Sequence, residues 1–259
     1  MWAVAFGTPG MEPSGCILHY SDGEWDFYSP FKIPMVDIYN QIGLDSADHG
    51  FIVGRTEVHP TYGLIFEYDD SLWGPNQIPD LPYEVELRTV DAVDSNTAYI
   101  GGQVIEPDGM DQDEELLLLE WDGTDWSRVI DGALEYNGEG KALSFYDEDH
   151  GIFAIEDHGD DDDDDDDDDD EAFGGAVLMY SSGTWSNETP GDIPMGFWQP
   201  NAATMWAEQD GFVVGWIYQM PLFDQLEIEA LLLDYASGTW SVDTLENFIP
   251  LAVEHVDTE

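Results

Sequence analysis

The segment Leu118-Leu119-Glu120-Trp121-Asp122-Gly123-Thr124-Asp125-Trp126 decides the fold. It contains an apolar strand, a turn of Asp and Gly, and a Trp that opens a return strand, which is the pattern of a β-hairpin. The chain carries five copies of this pattern. Their closing tryptophans are Trp25, Trp73, Trp126, Trp185 and Trp240.

A second hairpin pattern precedes each of the last four copies. It occupies residues 42–54, 90–102, 143–155 and 203–215. Each repeat therefore has four strands, which we name A, B, C and D in chain order. Four strands in roughly 50 residues are typical of one blade of a β-propeller. The sequence predicts an all-β fold, a five-bladed β-propeller with four-stranded blades.

The first repeat lacks its strand A, because the chain opens inside strand B at residues 1–4. Residues 256–259 resemble the end of a strand A, so we expect the C-terminal strand to complete the first blade and close the ring. Closure removes open sheet edges. A chain that opens within a blade also leaves a second interpretation, a fragment of a larger secreted repeat protein. The predicted blades of the single domain are residues 251–259 with 1–30, 36–75, 85–130, 141–188 and 201–245.

Charge excludes several classes of partner. The 259 residues include 58 Asp and Glu but only 5 Lys and Arg, for a net charge of −53. Nucleic acids and anionic lipids are bound through Lys and Arg, so neither is expected as a partner. No apolar run is long enough to span a bilayer, so we expect no membrane insertion. The protein is expected to be a monomer.

The repeats resemble those of a known group of proteins. The pattern Gly-aromatic-aliphatic-Val-Gly, as at residues 50–54, is followed by a loop and then by aliphatic-aromatic-Asp-Gly-x-x-Trp-Ser. Residues 119–127 show the second part with Glu120 inserted after the aliphatic residue. This is similar to bacterial β-propellers with BNR-like or kelch-like repeats, many of which are secreted. The resemblance implies the fold. Together with the excess of acids and the Asp run, it leads us to expect an extracellular or cell-surface location. The sialidase Asp-box itself is not reproduced, since Gly183 lies two residues before Trp185 rather than three.

A run of acids interrupts the fourth repeat between strands B and C. Residues 159–175 form an acidic low-complexity loop insertion. Carboxylate oxygens are the ligands that Ca²⁺ prefers, so this loop is a candidate Ca²⁺ site; the other interpretation is an expansion tolerated in a solvated loop. The candidate ligands are Asp160, Asp161, Asp162, Asp163, Asp164, Asp165, Asp166, Asp167, Asp168, Asp169, Asp170 and Glu171. Residues 106–115 form a second acidic loop, and no other cofactor is predicted.

The fifth repeat carries large apolar side chains after its strand B. In a propeller the B–C and D–A loops share one face, and here the B–C loops are long and unequal, so we expect a protein or glycan partner on this loop face. The candidate binding residues are Trp216, Tyr218, Met220, Leu222 and Phe223. These side chains form an exposed patch that docks a partner or stacks on sugar rings, or they belong to a loop that folds back to plug the ring or cover a neighbouring blade.

An enzyme is the competing interpretation, because five-bladed propellers that this chain resembles include glycoside hydrolases. Such enzymes need two suitably placed carboxylates, and Asp37 and Asp91 are candidates. No catalytic residue can be assigned from the sequence, and convergence of Arg55, Arg88 and Arg128 on one sialidase-type site is not expected. We therefore expect a non-enzymatic binding or scaffold propeller, with a carbohydrate-active hydrolase as the alternative.

Overall fold

The protein is described by a computed structural model that covers most of the repeats. The described residues are 1–6, 15–28, 37–56, 62–69, 72–76, 84–105, 114–158, 174–194, 197–219 and 227–246. They form antiparallel sheets, which we name I to V in chain order.

Each sheet is built from strands that are consecutive in the chain. Sheet I contains β1 (Trp2–Phe6), β2 (Gly15–Ser21) and β3 (Glu24–Tyr28). Sheet II contains β4 (Asp37–Leu44), β5 (His49–Thr56), β6 (Gly63–Asp69) and β7 (Leu72–Asn76). Sheet III contains β8 (Glu84–Asp94), β9 (Thr97–Ile105), β10 (Glu114–Trp121) and β11 (Trp126–Arg128).

The last two sheets repeat this order. Sheet IV contains β12 (Gly138–Asp147), β13 (His150–Asp157), β14 (Gly174–Ser181) and β15 (Thr184–Asn187). Sheet V contains β16 (Phe197–Ala207), β17 (Asp210–Gln219), β18 (Glu227–Ala236) and β19 (Thr239–Glu246). A 3-10 turn at Gly132–Leu134 is the helical element among the described residues.

The repeated tryptophan is the first or second residue of the last strand in every sheet. Each tryptophan lies opposite an aromatic residue of the preceding strand. The sequence between the two strands is rich in Gly, Ser and Asp. The facing pairs are Tyr20 with Trp25, Tyr68 with Trp73, Trp121 with Trp126, Tyr180 with Trp185, and Tyr235 with Trp240. Gly23, Gly123, Gly183 and Gly238 adopt positive φ in these turns, a conformation that costs glycine little.

The chain divides into two compact units, each with its own apolar core. One unit is Met1–Asp113 with Leu117–Val129, and the other is Glu114–Leu116 with Ile130–Glu259. In the first unit, Phe51 and Trp126 belong to one core cluster, and Ile17 and Trp73 belong to another. The core of the second unit joins sheets IV and V through side chains such as Ile152 and Val213.

The prediction of an all-β chain is confirmed by the described residues. Five successive antiparallel sheets of three or four strands are consistent with a propeller-like fold. In sheet I the described strands number three, and the predicted fourth, from residues 251–259, lies outside the described residues. The acidic insertion at 159–175 also lies outside them except for its last two residues, Gly174 and Gly175, which begin β14.

Candidate functional site

A β-bulge recurs near the start of strand A in sheets II to V. In each case one residue of strand A is skipped in the residue-by-residue pairing of strands A and B. The bulged residues are Asn40, Arg88, Lys141 and Asn201, all of them polar. A bulge bends its strand and redirects a side chain, so the repeat places a hydrogen-bonding group at one equivalent position in four sheets.

In the first unit this position is part of an ion cluster around a buried glutamate. Glu86 is 6% exposed and lies on β8, two residues before the bulged Arg88. Its Oε2 accepts a hydrogen bond from Arg88 at 2.7 Å, and its Oε1 accepts one from Arg55 of β5. Two of the three arginines therefore meet on one carboxylate, while Arg128 lies on β11 at the opposite edge of sheet III.

The second unit carries a larger network at the equivalent position. Glu139 and Glu156 face each other across β12 and β13 and are 4% and 7% exposed. The ammonium group of Lys141 contacts both carboxylates, with Nζ 2.6 Å from Oε2 of Glu156. Two buried acids thus share one base, which offsets part of the cost of burying their charge.

His158 extends this network to β10. Its Nδ1 lies 2.7 Å from Oε2 of Glu114 and its Nε2 lies 3.8 Å from Oε1 of Glu156. Hydrogen bonding to Glu114 and then to Glu156 raises the pKa of His158 to about 10, so the imidazole is charged at neutral pH. The same hydrogen bond to His158 lowers the pKa of Glu114.

Glu156 is the centre of the network. Burial acts to raise its pKa, but hydrogen bonds from His158, Lys141 and Gln199 outweigh burial and lower the pKa to about 2. Gln199 of β16 donates from Nε2 to Oε2 of Glu156 at 2.5 Å. The carboxylate is therefore ionised throughout the physiological pH range and accepts hydrogen bonds from two sheets.

Trp216, one of the predicted binding residues, joins the same network. Its indole Nε1 donates to Oε1 of Gln199 at 2.7 Å. Trp216 and Tyr218 lie on β17, which continues to Gln219, rather than in the loop that the sequence predicted. Both side chains are half-buried, and the ring of Tyr218 packs 5.6 Å from that of Phe197.

The other predicted site residues lie outside the part of the chain that the structure describes. Met220, Leu222 and Phe223 lie outside the described residues, as do Asp160 to Asp170 and Glu171. The described residues do show where the acidic run begins, because His158 precedes it. Glu114, which follows the other acidic segment, 106–113, in the sequence, forms an ion pair with His158.

Sequence reasoning missed Glu139, Glu156, Lys141 and Gln199. A signal was present in the recurring pairs Glu86-Leu87-Arg88 and Glu139-Gly140-Lys141, where a base follows a Glu by two residues. In a chain with five bases, two such pairs at equivalent repeat positions are informative. The partner strands that complete the clusters could not be read from this local pattern.

The histidines that recur in the A–B turns and the candidate catalytic acids do not form a second site among the described residues. His49 contacts Asp45 at 3.0 Å, and His150 contacts Asp147 at 2.8 Å, so both histidines brace their own A–B turns. Asp91 lies on β8 opposite Tyr99. Within the described ranges, no group of three or more His, Cys, Asp or Glu is arranged to hold a metal ion.

Comparison with known proteins identifies no family for the chain. No family model matches it, and no curated protein matches it. Eighteen chains of solved structures are similar to it. One is the structure of YCF48 bound to D1 peptide, with 13% sequence identity and a TM-score of 0.45, covering 90% of this chain and 75% of that chain. In the described parts of this protein, no helix has the length and apolar character to cross a membrane.

Proposed function

We propose that the protein is a non-enzymatic binding or scaffold propeller of five blades. Its ring is closed by the C-terminal strand, and it works outside the cell or at the cell surface. The repeat order supports this proposal, because five antiparallel sheets follow one another in the chain and sheet I has an edge at β1 where a fourth strand would pair. The partner is a protein or a glycan that binds the face of the B–C and D–A loops.

The state of Glu156 supports a structural rather than a catalytic role for this network. A glycoside hydrolase needs one carboxylic acid whose pKa is raised, so that it holds a proton to donate. The pKa of Glu156 is instead lowered to about 2, and Lys141 and His158 occupy both of its oxygens. Glu114 and Glu139 are likewise held by cations. This is the chemistry of a supporting network and favours binding over acid–base catalysis.

The network supports the loop face in two ways. It fixes Trp216, the rim residue predicted to bind the partner, through Gln199. It also anchors the start of the acidic run through His158, which carries a positive charge at neutral pH. A partner bound at Trp216 would therefore lie next to the acidic segment.

The acidic loops are proposed to bind Ca²⁺. Glu114 and His158 form an ion pair, and in the sequence they adjoin residues 106–113 and 159–173, which hold four and twelve acids. Carboxylates of both segments would supply the oxygen ligands that Ca²⁺ prefers. Charge neutralisation by the bound ion would relieve repulsion between them.

Two assays separate binding from hydrolysis. A panel of aryl glycosides tests turnover, and a glycan array tests binding, each with the unchanged protein, with Trp216→Ala and with Glu156→Gln. We expect no turnover, and we expect glycan or protein binding to weaken in Trp216→Ala but not in the matched variant Tyr146→Ala, whose exposed side chain lies at the end of β12. Turnover that disappears in Glu156→Gln would establish the alternative, a carbohydrate-active hydrolase.

Calcium binding is tested by thermal unfolding in chelator and in millimolar CaCl₂, with NaCl matched for ionic strength. The matched variant has the eleven aspartates 160–170 replaced by serine. We expect Ca²⁺ to raise the unfolding midpoint of the unchanged protein and to have a smaller effect on the variant, since a ligand that binds the folded state stabilises it by mass action. An unchanged midpoint in both proteins removes Ca²⁺ from the proposal and leaves the binding role intact.

A further inference from the structure

The exposed Asp, Glu, Lys and Arg side chains of the described residues are all acids. Glu24 and Asp26 lie on β3, Asp48 follows β4, and Glu148 and Asp149 follow β12. Exposed acids occur in every sheet or in the turns beside it. The others are Asp22, Asp69, Asp94, Glu115, Asp122, Asp125, Glu135, Glu188, Asp192, Glu208 and Asp243. The described surface therefore carries sixteen exposed acids and no exposed Lys or Arg.

The bases are withdrawn from this surface into ion pairs. Of the five Lys and Arg residues, Lys32 lies outside the described residues. Arg55, Arg88 and Lys141 are held by the buried glutamates described above, and their side chains are 28%, 30% and 19% exposed. Arg128 is half-buried on β11. The three ion-paired bases therefore neutralise buried glutamates rather than the exposed acids.

The exposed acids are close enough to repel one another at low salt. Glu24 and Asp26 are two residues apart on one face of β3, so their backbones are about 7 Å apart. The screening length of salt is about 10 Å at 0.1 M and about 3 Å at 1 M. Repulsion over such a spacing therefore acts at the lower concentration and is screened at the higher one. The buried carboxylates around Lys141 are screened much less at either concentration.

We propose that the folded state depends on salt, and that dissolved monovalent cations supply the counterions that this surface lacks. In dilute buffer, repulsion between the exposed acids favours the unfolded chain, because a net charge far from zero destabilises a compact state. At high ionic strength the repulsion is screened, and the ion pairs around Glu86 and Glu156 remain. K⁺ and Na⁺ act equally, since screening depends on charge and concentration and not on an ordered site.

The fold is thus adapted to a medium of high ionic strength. This inference is independent of the partner and of the Ca²⁺ site proposed above. Urea unfolding at about 0.1 M and about 1 M salt tests it, in KCl and separately in NaCl. Tryptophan fluorescence is the readout, and EDTA is present throughout so that Ca²⁺ contributes nothing. Chloride is used because sulfate and phosphate strengthen apolar burial by exclusion from a protein surface.

Two variants separate surface repulsion from general effects of salt. The surface variant replaces the sixteen exposed acids by their amides, Asp by Asn and Glu by Gln, which lowers the formal charge from −53 to −37. Asn accepts the turn hydrogen bonds that Asp94 and Asp122 accept, so the turns keep their caps. The control is Glu156→Gln, which removes one buried carboxylate and none of the exposed ones.

We expect the urea midpoint of the unchanged protein to rise from 0.1 M to 1 M salt, equally in KCl and NaCl. The surface variant should have the higher midpoint at 0.1 M and should keep about half of the rise, because Coulomb repulsion grows roughly with the square of the net charge. Glu156→Gln should lower the midpoint at both concentrations and keep the whole rise.

A midpoint of the unchanged protein that does not rise with salt would overturn the proposal. An equal rise in the surface variant would also overturn it, because salt would then act on something other than the exposed acids. A rise in only one of the two salts would have the same consequence, since it would show an ordered ion site in place of diffuse counterions.

Discussion

The indole Nε1 of Trp216 donates a hydrogen bond to Oε1 of Gln199 at 2.7 Å. The two residues face each other in the pairing register of β17 and β16, so their separation is set by the sheet. The bond orients the Gln199 amide so that its Nε2 points to Glu156 of sheet IV. A residue chosen from the sequence as a binding residue is therefore also the end of a network that joins two sheets.

Trp216→Phe should lower the free energy of unfolding by about 1 kcal/mol, because the ring packing is largely kept while Gln199 loses a hydrogen bond. Trp216→Ala should cost about 2–3 kcal/mol, since half-buried ring contacts are lost as well. Urea unfolding followed by circular dichroism measures both values. Tyr218→Phe is the matched control and should change stability by less than about 0.5 kcal/mol. Equal stability of Trp216→Phe and the unchanged protein would contradict the role assigned to the bond.

Acid should remove the stabilisation that Glu156 provides. Its pKa is about 2 in the folded protein and about 4.5 as an ordinary glutamate, so the ionised carboxylate stabilises the fold above pH 4.5. This contribution is lost as the pH falls from 4.5 towards 2. Urea midpoints measured at each pH should show a stability difference between the unchanged protein and Glu156→Gln that shrinks over this window. The comparison with Glu156→Gln removes the effect of the other acids.

Alkali should remove the contribution of His158. Its pKa is about 10 in the folded protein and 6.5 ordinarily, so the charged imidazole stabilises the fold fully below pH 6.5. That contribution declines as the pH rises from 6.5 to 10. The difference in urea midpoint between the unchanged protein and His158→Gln should follow this decline. A difference that stays constant from pH 6 to pH 10 would show that folding leaves the pKa of His158 unchanged.

Glu86→Gln should destabilise the first unit by about 2–3 kcal/mol, because it leaves two guanidinium groups beside an uncharged amide. The value is below that of a fully buried pair, since the side chains of Arg55 and Arg88 are 28% and 30% exposed. Asp69→Asn, an exposed change on β6, is the control and should have little effect. A loss as small as that of the control would mean that solvent satisfies both arginines.

Gly102→Ala should cost about 1–3 kcal/mol or more through steric overlap. An added Cβ would overlap the carbonyl oxygen of Glu86 on the neighbouring strand, and backbone atoms cannot move aside as a flexible side chain can. Gly74→Ala is the matched control, because nothing lies within 4 Å of its added Cβ. The two urea midpoints should differ clearly. Equal midpoints would show that strands A and B of sheet III can move apart to make room for the added Cβ.

Local features of the fold could be read from the sequence, whereas contacts between sheets could not. The pairing of Tyr180 with Trp185 follows from alternation and a short Gly turn, both of which act within a few residues. The hydrogen bond from Gln199 to Glu156 spans 43 positions, and no local pattern encodes it. The sequence places Trp216 in a loop, because a continuous apolar run does not show where a strand ends. In the structure β17 continues to Gln219, and Glu227 and Ile228 of β18 pair with its last residues.

The ion pairs that hold bases against Glu86, Glu139 and Glu156 have a consequence for proteolysis. Proteases that cut after Lys or Arg have five cleavage positions in the whole chain, and Arg55, Arg88 and Lys141 lie within strands and in ion pairs. Cleavage there requires the strand to leave its sheet, since a protease binds its substrate as an extended, unpaired segment. Trypsin digestion should therefore report how often sheets II, III and IV open.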